Sequence, residues 1–279
     1  MTNPIADPLV EVPDTDALSA LVELDASPSG VAVVTINRPD RKNAFNAEVI
    51  AALAQHFETL RDADGVRIVF LRGAGGAFSA GADLDWMRAA AGFTRDENRD
   101  DAMALAEMLL ALRELPQLTV ALVDGPAFGG GAGLVAACDY AVATKGAKFA
   151  FSEVKLGLVA ATISPHVVDA IGPRRAKSLF ATGRMFDAAF AEKIGLVDEL
   201  VAAAADLDDV MERMAEEIMA CAPGAVAKSK ALVDDVAGVP IDEELLDLTA
   251  RLIADQRTSD EGQEGVAAFL EKRKPGWAL

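Results

Sequence analysis

The sequence is poor in the groups that most often announce a chemistry. It has two cysteines, Cys138 and Cys221, and two histidines, His56 and His166. So few cannot build a disulfide framework, and they form no spaced Cys/His cluster for a metal. Cys138 lies within an apolar run, where a thiol is most simply a small core residue. Positive charge is also scarce. Lysine and arginine number 26 against 44 aspartates and glutamates, a formal net charge of -18. A surface that acidic argues against non-specific nucleic-acid binding and against docking on an anionic membrane. It leaves room for an anionic ligand held by a few local cations and backbone N–H groups. No apolar stretch is long and unbroken enough to span a bilayer. The opening MTNPIADPLVEVPDTD is acidic and proline-rich, unlike the basic-then-apolar start of a signal peptide. A soluble, cytoplasmic protein is expected.

What is present suits one large core, alone or with a smaller appendage: 279 residues, 52% hydrophobic and 25% charged. Residues 1–18 read as a loose tail. Short β-type runs then alternate with helical ones. VAVVTI (Val31–Ile36), VRIVFL (Val66–Leu71) and LTVALV (Leu118–Val123) are strand candidates. Between the first two lies a helix with Val49, Leu53, Phe57 and Leu60 on one face and Asn46 as its N-cap. His56 on that helix is a surface or packing residue. A second helix, DENRDDAMALAEMLLALREL, is ended by Pro116. Such alternation predicts an α/β domain with mainly parallel pairing. From about residue 205 onward the pattern is helical only. Leu245, Leu248 and Leu252 share one face, and Val266, Phe269 and Leu270 form another apolar group. Those faces pack either on the chain's own domain or on another subunit.

The stretch GPAFGGGAGLVAACD, Gly125–Asp139, sets three consecutive glycines between an apolar strand-like run and an apolar helix-like run. No Gly-Lys-Ser/Thr follows, so it is not a P-loop, and the spacing does not make G-x-G-x-x-G. Read as strand, turn and helix, it puts the glycines at a helix N-terminus. There the first N–H groups lack intrahelical partners and the helix dipole is positive. Without side chains in the way, such a corner can hold a phosphate, a carboxylate or an oxyanion. The plainer alternative is a tight turn with close helix–strand packing. A second bare corner, GAGGAFSAGADL (Gly73–Leu84), follows another strand and also opens toward a helix. Two such corners converging on one atom would make an oxyanion hole.

At this point the sequence resembles the enoyl-CoA hydratase/isomerase family, the crotonase superfamily. The resemblance rests on AFSAGADL, GPAFGGGAGLVAACD and FSEVKLGL together. It is extended by NRPDRKNAFN, ATGRMFDAAFAEKIGLVDELV and AAFLEKRKPGW, and it runs in order from about residue 20 to 279. It implies a crotonase-type α/β fold, a repeated ββα spiral core over residues 19–205 that holds an acyl-CoA site. Residues 206–279 would then be a helical oligomerisation region, in a homotrimer or dimer of trimers. The ligand would be an acyl-CoA thioester, with coenzyme A part of the substrate and no separate metal or redox cofactor.

By the same resemblance, the backbone N–H groups of Ala82 and Gly130 bind the thioester oxygen, and Glu153 matches one of the two glutamates of the family's hydratases. In this setting its carboxyl is expected to titrate high, fit for acid/base work. Without the resemblance, Glu153 would read as a loop residue paired with Lys155. The other glutamate is missing: its position is Gly133, at the expected separation of 153 − 133 = 20. Three readings follow. Glu153 handles both protons of a hydration, another acid substitutes, or one base shifts a proton between C2 and C4 as an isomerase. FGGGAGLVAACD followed by FSEVKLGLVAATISPHVV looks like a bacterial subgroup described as methylglutaconyl-CoA hydratases, of leucine and isoprenoid breakdown. The loop VAATISPHVV also departs from the glycine-rich loop of many family members, which suits a branched or carboxylated acyl chain; both features favour hydration. His166 in that loop either reaches the acyl pocket or simply starts a helix after Pro165. Candidates for contact with CoA are Arg41, Lys42, Ala80, Leu84, Phe269 and Lys272.

Two rival classes remain. A serine hydrolase would need a nucleophile elbow, and no Gly-x-Ser-x-Gly occurs; Ser79 and Ser152 have no histidine visibly placed as a base. A non-catalytic acyl-CoA-binding protein would keep the bare backbone but would have no need of Glu153.

Overall fold

The computed structural model describes residues 20–278, so the tail expected over residues 1–18 lies outside the described residues. Six strands form the main sheet. They are β1 (Val22–Ala26), β2 (Val31–Ile36), β3 (Ile68–Gly73), β4 (Leu118–Val123), β6 (Tyr140–Thr144) and β9 (Glu199–Val201), in that spatial order. β1 pairs antiparallel with β2, and every other pairing in this sheet is parallel. Three short strands, β5 (Pro126–Phe128), β7 (Lys148–Ala150) and β8 (Phe186–Asp187), form a second sheet. This is the α/β crotonase-type core that the motifs imply. Two details differ from the sequence reading. β3 begins at Ile68 rather than Val66, because the Arg67 N–H turns aside to the Gly30 carbonyl (2.7 Å). The stretch after β4 is not strand, turn and helix: β5 intervenes before the glycines.

The central strands β3, β4 and β6 are apolar at most positions because both faces of the sheet are covered there. Val69 and Leu71 of β3, Ala121 and Val123 of β4, and Ala141 and Ala143 of β6 face one cluster. That cluster is closed by α1 (Ala47–Arg61), α3 (Arg95–Arg113) and α4 (Gly130–Ala137); a short helix, α2 (Leu84–Ala90), lies between α1 and α3 in the chain. The intervening Ile68, Phe70, Val120, Leu122 and Val142 face the other side. Removing each large side chain from water contributes about 1.5–3 kcal/mol. The Asn46 side chain caps α1 by accepting from the Val49 N–H at 3.0 Å. A Thr94–Glu97 capping box starts α3.

After α4 the chain forms α5 (Ser164–Ile171), α6 (Pro173–Thr182) and α7 (Ala188–Ile194), and then helices only. α8 (Asp206–Met219) lays Leu207, Val210, Met214 and Ile218 on the second face of the main sheet. α9 (Pro223–Val236) is tied beneath β4 by Lys230, whose ammonium donates to the Leu115 and Gln117 carbonyls and pairs with Asp139 at 2.6 Å. α10 (Glu243–Thr258) and α11 (Asp260–Glu271) bury little: Leu245 is covered, but Val266, Phe269 and Leu270 are exposed. Among the described residues no helix is long and apolar enough to cross a membrane.

Candidate active site

The first bare corner is built by pairing on both sides. The Ser79 N–H donates to the Pro126 carbonyl (3.0 Å) and its carbonyl accepts from Phe128 (2.9 Å), which bridges Ser79 to Ala127 of β5. On the other side the Phe45 N–H donates to Gly81 (2.7 Å), and the Phe45 carbonyl accepts from the Asp83 N–H (2.7 Å). In extended chain, backbone groups of adjacent residues point to opposite sides. The Gly81 carbonyl and the Asp83 N–H both face Phe45, so the Ala82 N–H between them points away from Phe45, in the segment that adjoins Gly129. Gly81 has φ +88°, and a β-carbon there would stand 2.9 Å from the Phe128 carbonyl oxygen. Only glycine lets the two segments lie this close.

The second corner is Gly129 and the start of α4. The Gly129 N–H is spent on the Ala150 carbonyl (2.9 Å). Gly130 is the first helical residue, so its N–H has no intrahelical partner. A β-carbon on Gly131 would come within 2.7 Å of the Ser79 carbonyl oxygen, and one on Gly129 within 3.9 Å of Gly81 Cα. The corners therefore touch. Among the described residues neither the Ala82 N–H nor the Gly130 N–H donates a hydrogen bond. Two idle donors on adjoining backbone, at a helix N-terminus, are suited to an oxygen that gains negative charge.

Glu153 enters from the third side. It opens a short 3-10 turn, Glu153–Leu156, just after β7. Its Oε1 lies 3.1 Å from the place a β-carbon of Gly129 would occupy. Its Oε2 is buried without a hydrogen-bond partner, and no ion pair joins it to Lys155 among the described residues. Loss of water around it raises its pKa above the ordinary 4.5. A half-buried carboxyl with one oxygen buried and unpartnered is placed to exchange protons with a ligand.

The position of the second glutamate is closed. Gly133 is buried on α4, and a β-carbon there would stand 2.9 Å from Ile163 Cβ and would overlap Ile163 Cγ2. Ile163 itself is 2% exposed. The missing carboxylate has thus been replaced by a packed apolar contact.

The remaining candidates fall into separate places. The Ala80 N–H donates to the Lys42 carbonyl (2.9 Å), so Lys42 and Ala80 lie together at the edge of the site, with exposed Leu84 at the start of α2. Arg41 pairs with Asp85 at 3.1 Å. Phe269 and Lys272 stand at the end of α11, and no hydrogen bond or ion pair among the described residues links them to that edge. His166 lies in the first turn of α5, buried, its Nδ1 without a partner. Its pKa is depressed by burial and by Arg113. His56 bonds the Val22 carbonyl through Nε2 at 2.9 Å. A cavity of about 1120 Å³ lies elsewhere, between the end of α4 and α9, and includes none of the proposed site residues.

The sequence reading missed three residues behind the first corner: Arg38, Asn43 and Asp83. All lie within motifs quoted above, NRPDRKNAFN and AFSAGADL. Fully buried Asn43, at φ +55°, donates to the Ala74 (2.8 Å) and Ala77 (2.6 Å) carbonyls. Asp83, 5% exposed, pairs with Arg38.

Comparison with known proteins gives one family. The model for "Enoyl-CoA hydratase/isomerase" matches residues 26–278. A Thermus thermophilus protein named for enoyl-CoA hydratase is 38% identical over 245 residues, covering 88% of this chain and 96% of its own. A Legionella pneumophila structure named for the enoyl-CoA hydratase/isomerase (crotonase) group is 43% identical, with a TM-score of 0.87, over 92% of this chain and 99% of its own. An enoyl-CoA hydratase from Shewanella pealeana superimposes with a TM-score of 0.90 at 36% identity, over 95% of this chain and 100% of its own.

Proposed function

Because the chain belongs to the enoyl-CoA hydratase/isomerase family, we propose that it adds water reversibly across the 2,3 double bond of a 2-enoyl-CoA thioester. The observation that carries this reading is the Glu153 carboxylate, half-buried and with one oxygen buried and unpartnered, beside two idle backbone donors. In the reaction, the thioester oxygen sits on the Ala82 and Gly130 N–H groups. Glu153 takes a proton from water as its oxygen adds to C3. Charge moves through C2 to the thioester oxygen, where each preorganised donor is worth about 3–4 kcal/mol. The proton then passes from Glu153 to C2, leaving the carboxylate as it began. A single carboxylate serves both carbons, so both new bonds form on the face of the alkene that Glu153 covers.

The stretch VAATISPHVV, residues 159–168, differs from the glycine-rich loop of many family members and would shape the acyl pocket for a branched or carboxylated chain such as 3-methylglutaconyl. Lys42, Ala80 and Leu84 would border the CoA, with Phe269 and Lys272 approaching it from a neighbouring subunit of a trimer or dimer of trimers. A second reading has its own observation. The Gly133–Ile163 contact leaves one acid/base group, which suits an isomerase that moves a proton between C2 and C4.

A panel of crotonyl-CoA, 3-methylglutaconyl-CoA and a 3-enoyl-CoA, followed by mass spectrometry, tests the proposal. Gain of one water on a 2-enoyl substrate is expected. Conversion of the 3-enoyl compound without mass change, and without hydration of any 2-enoyl compound, would replace it with the isomerase. Binding without turnover of any compound would count against both.

A further inference from the structure

We propose that Arg38 is a positioning residue of the oxyanion site. It holds the Ala82 N–H in place through Asp83 and Ala44, and it cancels the carboxylate charge beside that donor. The inference rests on the reading of Ala82 as an oxyanion donor.

The contacts form a clamp. Arg38 Nη2 reaches Asp83 Oδ2 at 3.1 Å and Nη1 donates to the Ala44 carbonyl at 2.6 Å. Ala44 and Asp83 flank the Phe45 pairing that turns the Ala82 N–H outward. The other oxygen of Asp83 caps α2 by accepting from the Asp85 N–H at 2.8 Å. Behind the clamp, Asn43 Oδ1 accepts from the Arg38 N–H at 2.8 Å, while its amide grips residues 74 and 77. One guanidinium thus locks two strands whose register decides where the donor points. A lysine ammonium is a compact point charge on a flexible stem, without the planar fork that reaches the Ala44 carbonyl and the Asp83 carboxylate from two separate nitrogens.

Charge gives a second reason. Asp83 is adjacent to Ala82 and almost fully buried. An unneutralised carboxylate there would oppose a second negative charge on the thioester oxygen. Arg38, with its side chain 14% exposed, is the counter-charge in contact. Both effects act on the charged intermediate more than on bound substrate, so they belong in kcat rather than KM.

The test uses the full chain with Arg38→Lys, Arg38→Met, and the charge-neutral Arg38→Met/Asp83→Asn. Saturated acyl-CoA labelled with carbon-13 at the carbonyl is bound to each, and its infrared carbonyl stretch is read beside its Kd. The wild-type protein should move the stretch to lower frequency. Arg38→Lys should bind the probe within about threefold of wild type, lose at least half of that shift, and lose about tenfold to 100-fold in kcat. The neutral double variant should regain part of the kcat that Arg38→Met loses. Should Arg38→Met fail to fold, Arg38→Lys and the double variant carry the test. A full carbonyl shift and near-normal kcat in Arg38→Lys would overturn the inference, as would an unshifted carbonyl in the wild type. A shifted wild-type carbonyl without hydration of any 2-enoyl-CoA would instead remove the proposed reaction and leave the positioning role standing.

Discussion

Gly133 on α4 and Ile163 at the start of α5 occupy each other's space: the isoleucine side chain fills the volume that any β-carbon at 133 would need. The loss of the second glutamate is therefore built into the packing and is not a vacancy that another side chain could refill.

This contact makes a stability prediction. Gly133→Ala should destabilise the protein by about 1–3 kcal/mol through overpacking. Ile163→Ala should cost roughly 2–5 kcal/mol by leaving a cavity. Each change relieves the other, so the double variant should lose less than the sum, which denaturant melts can measure as a coupling energy. Strict additivity would mean that the two residues do not meet.

The environment of Glu153 makes a prediction in pH. Burial lifts its pKa above 4.5, so between 4.5 and the folded-state value the unfolded chain has lost a proton that the folded chain keeps. Stability from this group therefore falls as pH rises through that window. Glu153→Gln should be more stable than wild type at neutral pH, with an advantage that shrinks as pH falls from the folded-state value toward 4.5 and is gone below it. The acid limb of kcat/KM should lie above 4.5, since the base must be ionised. A limb at or below that value would place the proton transfer elsewhere.

The C-terminal helices predict an assembly. Phe269 is 82% exposed on α11, next to exposed Leu270 and one turn from exposed Val266. An apolar group of this kind marks a contact surface. Sedimentation should find a trimer or a dimer of trimers, and Phe269→Asp with Leu270→Asp should give a smaller species with unchanged far-ultraviolet circular dichroism. A wild-type monomer would contradict the reading of α11.

Much of the fold is legible in the residues. β2 and β4 appear at their expected bounds because both are near-continuous runs of apolar and β-branched residues, and Asn46 is the N-cap of α1 as expected. β5 is not legible: Pro126–Phe128 is too short for periodicity and exists because β7, some twenty residues on, pairs with it, with Ser79 bridging to Ala127 on its other side. The site divides in the same way. The glycines of both corners stand out as bare backbone, and Gly133 stands out against the family pattern. Arg38 and Asp83 pass as ordinary charged residues in quoted motifs, since their pairing spans 45 positions and only the folded chain brings them together. Ile163 looks like any core residue until Gly133 is set against it.

The most direct test of the whole account is Glu153→Gln, assayed on whichever 2-enoyl-CoA the wild-type protein hydrates best. The exchange keeps the shape and removes the carboxylate. Hydration, followed as incorporation of oxygen-18 from labelled water, should fall by about 100-fold or more, while the Kd for a saturated acyl-CoA stays within about threefold, because the proposed holders of the thioester oxygen, the Ala82 and Gly130 N–H groups, are unchanged. A variant that keeps most of the wild-type rate would contradict the account, since the proton chemistry would then not belong to Glu153.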